Sequence, residues 1–483
     1  METGEIQVHV DRSKSVFTVV ALLLGGVLGI SLVQLGKPLY IVAGAIGVIL
    51  IVASIFSVET GLFVLFFLTY TRFSDIAVHF HNAPSVAKSY IFLMGLVVLI
   101  RWIVFGERPK GWQRAVVFIG IYGLVLATSL LYATNVKLVS DSLIDLVKDV
   151  FITFIVITLL NDRKRLHGVV WALLFAGIFM GTISVFQYLT GNFGNDFWGF
   201  AQVNYMQYAG DVEGYRTSGP VGDPNYYAML MLVLVPLALE RVFDEQRPVL
   251  RLAALFALVI IALSVIFTYS RGGFVALAVA VLAWFVFYPP RVSTIPFLLL
   301  AGIAFLLLIP KEYMARITTL TELVTAPSVG FRTQDISLRG RATETLAGLE
   351  MFRQHPLLGV GFANYTEHYL AYAKNLGLAP TATVRAAHSL YIEVLAETGL
   401  IGVSAFFALL VAMVKGILDS WKRLRSARED EIARMVAGIG AGLMGYLSAA
   451  VFIHAAYPRY FWLLMGVALS IPNIVKNELE GRR

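Results

Sequence analysis

The chain has 483 residues, 58% hydrophobic and 14% charged, with a mean hydropathy of +0.76. That balance excludes a water-soluble core of ordinary composition and makes lipid the solvent. The net charge of +7 does not point to nucleic acid, because much of the basic excess sits in short connectors between apolar runs, where the positive-inside rule accounts for it. With no cysteine there is no disulfide, thiolate metal site or cysteine nucleophile, and the redox compartment stays open.

Backbone polar groups in lipid must be satisfied internally, and the apolar segments are long continuous runs, so they predict helices and not a barrel. The first run, 16–36, follows Arg12 and Lys14, exceeds a signal segment in length and has no clear small-residue cleavage site, so it predicts an uncleaved helix. Further runs cover 38–56, 61–70, 89–105, 115–133, 143–160 and 166–190. A polar stretch intervenes before 226–243, 250–268, 272–288 and 293–309. A longer one precedes 390–414, 435–456 and 460–474. The expected class is all-α, a polytopic transmembrane bundle of about 12 to 14 spans.

Alternate connectors carry the basic residues: Arg108, Lys110 and Arg114; Arg163, Lys164 and Arg165; Arg241, Arg247 and Arg251; then Lys415 through Arg434. These are expected in the cytoplasm with both termini. Segments 191–225 and 310–387 then fall outside; the second carries eight Lys or Arg but exceeds the ~60 residues over which the charge rule applies. The chain thus divides into N-terminal transmembrane helices (1–190), an outer loop (191–225), central transmembrane helices (226–309), a large outer loop (310–387) and C-terminal transmembrane helices (388–483). Within the large loop, Tyr313, Ile317, Leu320 and Val324 recur at helical spacing, as do Leu346, Leu349 and Phe352. Amphipathic helices lying on the bundle are expected there, the second ended by Pro356 and followed by a tight turn at Gly359 and Gly361.

His388-Ser389 stands where this loop re-enters the membrane, nine residues before Gly399-Leu400-Ile401-Gly402. Two accounts fit: an interfacial histidine capping a helix, with glycines for close packing, or a general base able to take a proton from a hydroxyl near neutral pH. Arg271, in Tyr269-Ser270-Arg271-Gly272-Gly273, lies on the outer side between apolar runs with almost no loop. It either snorkels or binds an anionic headgroup. Arg341, in Arg339-Gly340-Arg341, has the same pair of accounts, with solvation weighing more. The turn Arg216 to Asn225 holds the only Lys or Arg of the first outer loop, while Asp223 or Asn225 can serve simply as a helix cap. One candidate base and three arginines on one membrane face suit a reaction whose leaving group is a polyanion, since guanidinium forks bind phosphate oxygens bidentately. The outer loops contain no Asp-x-Asp pair or His-Glu-x-x-His, so no metal is implied, and the chain has no Walker loop or Gly-x-Ser-x-Gly elbow.

These strings resemble the O-antigen ligase and O-antigen polymerase superfamily of bacterial envelope glycosyltransferases. His388-Ser389-x9-Gly399-x-x-Gly402 matches the family pattern His-[Asn/Ser/Gln]-x9-Gly-x-x-[Gly/Thr/Tyr]. Ser270-Arg271-Gly272, Gly340-Arg341 with His355 to Gly361, and the Arg216 to Asn225 turn are similar to further family elements. The resemblance implies a GT-C-like bundle in the bacterial cytoplasmic membrane, with its site facing the periplasm or cell exterior. It implies an undecaprenyl-pyrophosphate-linked glycan donor, a lipid, glycan or protein acceptor, inversion at the anomeric carbon, and neither cofactor nor metal. His388, Arg271 and Arg341 would be catalytic, with Arg216, Arg339, Ser389, Asn225 and Tyr391 binding substrate. A transporter or lipid flippase is the alternative from another class, with Lys148, Glu393 and Glu397 in or beside apolar runs. A structural scaffold is the third, against which the outer arginines count.

Overall fold

A computed structural model of the chain describes residues 38–104, 106–107, 111–209, 212–290, 292–307, 309–311, 313–314, 317, 336–378, 385–454 and 459–481. The chain separates into two compact units, Met1–Val64 and Leu65–Arg483. The first contains α1 (Pro38–Phe56) and the start of α2 (Val58–Tyr70). Everything that forms the site belongs to the second.

That unit continues with α3 (Phe73–His81), α4 (Val86–Ile103), α5 (Gln113–Ala127), α6 (Val136–Leu159) and α7 (Arg163–Thr190). After strands β1 (Gln202–Ala209) and β2 (Val212–Gly219) come α8 (Pro224–Asp244), α9 (Pro248–Phe267), α10 (Arg271–Phe287) and α11 (Ile295–Leu307). The last described helices are α12 (Ile336–Gln354), α13 (Tyr365–Asn375), α14 (Leu390–Ser426), α15 (Asp430–Ala449) and α16 (Arg459–Glu480).

Helix accounts for 78% and strand for 3% of the structure, so the helical class expected from the apolar runs is what the chain adopts. The helical class is interrupted by one hairpin that the apolar runs did not announce, β1–β2, antiparallel with Tyr205 opposite Tyr215 and Asn204 opposite Arg216. Among the described residues, six helices are long and apolar enough to cross a membrane, or up to seven if α2 and α3 form one bent span. The gap to the expected count has a physical source: α10 and the Ala115–Leu131 stretch are apolar but short, and α6 carries Lys137, Asp141, Asp145, Lys148 and Asp149. The run 16–36 and the repeat at Leu320 and Val324 lie outside the described residues.

The centre of the second unit is α8, most of whose side chains are buried. It packs on α9, α10 and α15. Small residues allow the closest of these contacts, for a Cβ on Gly442 of α15 would sit 2.6 Å from the Val233 carbonyl oxygen of α8. Asp223 caps α8, its carboxylate accepting from the Tyr226 amide at 2.8 Å, with Pro224 at the first helical position. Helix α14 packs against α5, α12, α15 and α16, and β2 leans on α7 and α8.

The loop helix α12 buries a different face from the one expected. Leu346 and Leu349 are exposed, while Thr343, Glu344, Ala347 and Met351 are buried. The stripe narrows to Ala347 and Gly348 where α12 approaches α14 closely; a Cβ on Gly348 would overlap the Ile392 side chain. Helix α12 ends at Gln354, two residues before Pro356, as expected from the ring's clash with a continuing helix.

Candidate functional site

The site is assembled from breaks in helices at one end of the unit. Between α9 and α10 the chain turns at Thr268–Ser270, with Tyr269 at φ 52°. Ser270 caps α10 by accepting from the Gly273 amide at 3.1 Å, and its own carbonyl accepts from the Tyr313 hydroxyl at 2.6 Å. Arg271 follows at the first helical position and is buried, 5% exposed. A guanidinium at a helix N-terminus opposes the positive end of the helix dipole, so its position is not explained by helix stability.

Arg216, from β2, reaches this same turn. Its Nε donates to the Thr268 carbonyl at 2.7 Å and a terminal nitrogen donates to Asn225 Oδ1 at 3.0 Å, with the residue 2% exposed. Asn225 therefore orients Arg216, and the capping role falls to Asp223. Arg72, between α2 and α3, also braces this region: its guanidinium donates to the Val221 carbonyl at 3.3 Å and pairs with Asp75 at 3.1 Å.

The turn after α15 links Arg271's neighbour to His388. A Cβ on Gly272 would lie 2.9 Å from the Phe452 side chain. Two residues on, the His454 ring meets the His388 ring edge to face with centroids 5.5 Å apart. The Leu390 amide, at the start of α14, donates to the carbonyls of Ala450 and Ile453 at 2.9 Å each. His388 itself is at φ 43°, and the N-cap of α14 is Ser389, whose hydroxyl makes no capping bond. The helix-cap account of the histidine is thereby set aside in geometric terms.

On its other side His388 faces α12. Nδ1 lies 2.9 Å from Oε2 of Glu344, whose side chain is 0% exposed, and 3.1 Å from the Ala386 carbonyl oxygen. Arg385 pairs with the other Glu344 oxygen at 3.2 Å. Gly340 leaves the space for this, since a Cβ there would overlap the Arg385 guanidinium. Arg341 is half-buried on the next residue, while the Arg339 side chain lies outside the described residues. Tyr391 donates its hydroxyl to the Leu447 carbonyl of α15 at 2.9 Å and stacks on Phe407, which lies in α14 beyond its break.

The glycines downstream of His388 have their own geometry. Helix α14 breaks at Gly399, with φ 59° and ψ −161°, a region open essentially to glycine alone. The loop 355–361 splices into the break: Val360 and Gly361 amides donate to the Ala396 and Glu397 carbonyls at 2.9 and 3.0 Å, and the Leu400 and Ile401 amides donate to Pro356 and Leu357 at 2.8 and 3.1 Å. Two carbonyls before the break and two amides after it are thus satisfied by the loop.

The histidine string and the His355 to Gly361 string, separate in sequence, are one interlocked structure. Residues 256–407 match the O-antigen ligase family. The match, over less than half of the chain, supports the O-antigen ligase superfamily, a glycosyltransferase-type family whose substrates are in general lipid-linked glycans and acceptors, and the apolar helices agree with an integral membrane protein. It spans Arg271, Arg341, His388 and both glycines, while Arg216 lies outside it. No curated protein matches the chain.

Glu344, Arg385, His454 and Arg72 were not singled out in the sequence. Glu344, Arg385 and His454 meet partners distant in the chain, and Arg72, though it pairs with Asp75, braces the site through Val221, so no local spacing marks them.

Proposed function

We propose that the protein is a metal-independent, inverting glycosyltransferase of the O-antigen ligase type. It moves a glycan from an undecaprenyl-pyrophosphate donor to an acceptor hydroxyl at the outer face of the cytoplasmic membrane, within a bundle of about 12 to 14 spans with both termini in the cytoplasm. The acceptor oxygen attacks the anomeric carbon, the bond from that carbon to the pyrophosphate oxygen breaks, and the oxygen leaves with the electron pair. The acceptor proton passes to His388. Arg271 and Arg341, with Arg339, neutralise charge growing on the leaving pyrophosphate, and Arg216 with Asn225 fixes the turn that presents Arg271. Ser389 and Tyr391 border the acceptor side. A polymerase of repeat units or a protein O-oligosaccharyltransferase would share this donor chemistry and differ in acceptor.

The observation that carries the proposal is the turn after α15, which meets Gly272 through Phe452 and His388 through His454. That contact supports the reading by bringing His388 and the buried Arg271 toward one end of the unit, which suits a donor whose tail stays in lipid.

Proteoliposomes supplied with lipid-pyrophosphate-linked glycan and a panel of lipid, glycan and protein acceptors test it. His388→Ala is expected to lower transfer by about 10²- to 10⁴-fold, and Arg271→Ala to abolish it at limiting donor. Unchanged transfer by correctly inserted His388→Ala would remove the base, and solute or lipid flux without transfer would favour a transporter.

A further inference from the structure

Glu344 is the most thoroughly enclosed carboxylate next to the candidate base, and nothing in the proposed reaction uses it. A buried carboxylate is costly unless its oxygens are matched. One oxygen has Arg385 at 3.2 Å. The other, Oε2, lies 2.9 Å from His388 Nδ1, an ion-pair contact, and accepts no hydrogen bond among the described residues. The backbone at Glu344 is also pinned, because the Tyr365 hydroxyl donates to its carbonyl at 2.5 Å. Burial and the neighbouring Glu344 charge raise the pKa of that phenol, so it stays a donor.

Both groups facing Nδ1 are acceptors, a carboxylate oxygen and the Ala386 carbonyl. A ring nitrogen between two acceptors must carry the proton, and in a neutral imidazole the other nitrogen then holds the lone pair. From this geometry we propose that Glu344 is a positioning residue: it fixes the Nδ1–H tautomer of His388 and aims Nε2, as the basic nitrogen, at the acceptor hydroxyl.

Glu344 can hold this role because α12 is clamped to α14 at Gly348 and to α13 at Tyr365. His388 is fixed from its own side by the left-handed backbone at φ 43° and by the Leu390 amide bonds to the α15 turn. Arg385 pairs with the other Glu344 oxygen and does not compete for Oε2. When Nε2 takes the acceptor proton, the imidazolium forms beside a carboxylate already in place, with no reorganisation needed.

This deepens the proposed reaction and rests on His388 being its base, so the decisive measurement is one that needs no turnover. Full-length protein with ¹⁵N-labelled histidine rings is placed in lipid nanodiscs at a pH where the rings are neutral, and the His388 signals are assigned by their loss in His388→Gln. The expected result is a protonated Nδ1 and an unprotonated Nε2. A proton on Nε2 in the unmodified protein overturns the proposal, whatever any variant does. Glu344→Gln is expected to mix the tautomers and lower kcat at least about tenfold with little change in donor KM, and Glu344→Asp to restore part of kcat. An unchanged tautomer and kcat in a folded Glu344→Gln protein would reduce the pair to a structural contact. Should His388→Ala retain transfer while the tautomer is as expected, the base assignment fails and the geometric coupling stands.

Discussion

Ile401 donates its amide to the Leu357 carbonyl at 3.1 Å, across the break in α14 at Gly399. The bond joins the 355–361 loop to the helix that begins beside His388, so the break and the loop stand or fall as one unit. Gly399→Ala would place a Cβ against the Leu357 backbone at a φ and ψ that side chains do not tolerate. The expected cost is about 2–4 kcal/mol, read as a lower apparent Tm in detergent. Gly359→Ala should do the same, since its Cβ would overlap the Glu397 backbone. A Gly399→Ala protein of parental Tm would show that the splice carries no stability.

Arg216 is predicted to tolerate lysine poorly for geometric reasons. Its two described bonds leave in different directions, Nε to Thr268 and a terminal nitrogen to Asn225. A single ammonium on a flexible stem cannot reproduce that fork. Arg216→Lys should cost on the order of 2–3 kcal/mol of stability and, by loosening the turn before Arg271, reduce transfer. Asn225→Ala should reproduce a fraction of both effects. Thermal unfolding and donor titration on the same preparations check this; full activity in Arg216→Lys would detach the turn from the reaction.

Much of this arrangement was legible in the sequence, and the limits are physical. Continuous apolar runs marked the helices because lipid solvation acts on composition. The cap at Asp223 and the stop before Pro356 are local effects of one or two residues, and both were readable. The hairpin was missed because Gln202 to Gly219 is polar and its alternation, with Val203 and Tyr205 on one strand and Tyr215 on the other, is too sparse to outweigh its glycines. The buried face of α12 departs from the leucine spacing because close approach to α14 selects Ala347 and Gly348 over larger apolar side chains. Glu344 and His454 lie 44 and 66 residues from His388, and only the tertiary fold brings them to it.

The pair of histidines makes the site acid-sensitive. Protein packed around the His454 ring, and then the nearby His388 ring, hold the His454 pKa below the ordinary histidine value, while Asp223 and Glu344 act weakly in the opposite sense. With a depressed folded pKa, the unfolded chain binds more protons between that value and about 6.5. Stability therefore rises with pH through this window, is fully present above it, and is lost as pH falls. The His454 residue keeps a solvent-facing surface, so the effect is small. His368 is lowered as well, by burial and His355, so the comparison must be between the parent and His454→Gln. Apparent Tm measured from pH 5 to 8 should fall less steeply on the acid side in the variant. Parallel curves would remove His454 as a contributor.

At the far end of α8 a buried charge cluster gives a control that separates folding from chemistry. Arg241 pairs with Glu240, and also lies 3.6 Å from Asp244 and 3.4 Å from Glu245, while Arg434 of α15 pairs with Asp244. Arg241 and Glu240 are essentially inaccessible to solvent. Sixteen residues separate Arg241 from Asn225 along the helix, a rise of about 24 Å, which sets the cluster well away from the site. Arg241→Met strands the Glu240 carboxylate in the interior and should cost roughly 3–5 kcal/mol. Adding Glu240→Gln removes the stranded charge and should recover part of that loss. Because nothing at this end touches the reacting groups, transfer per folded molecule should stay at the parental value in the double variant. A fall in kcat without a fall in folded fraction would mean that the two ends of α8 are coupled through the helix.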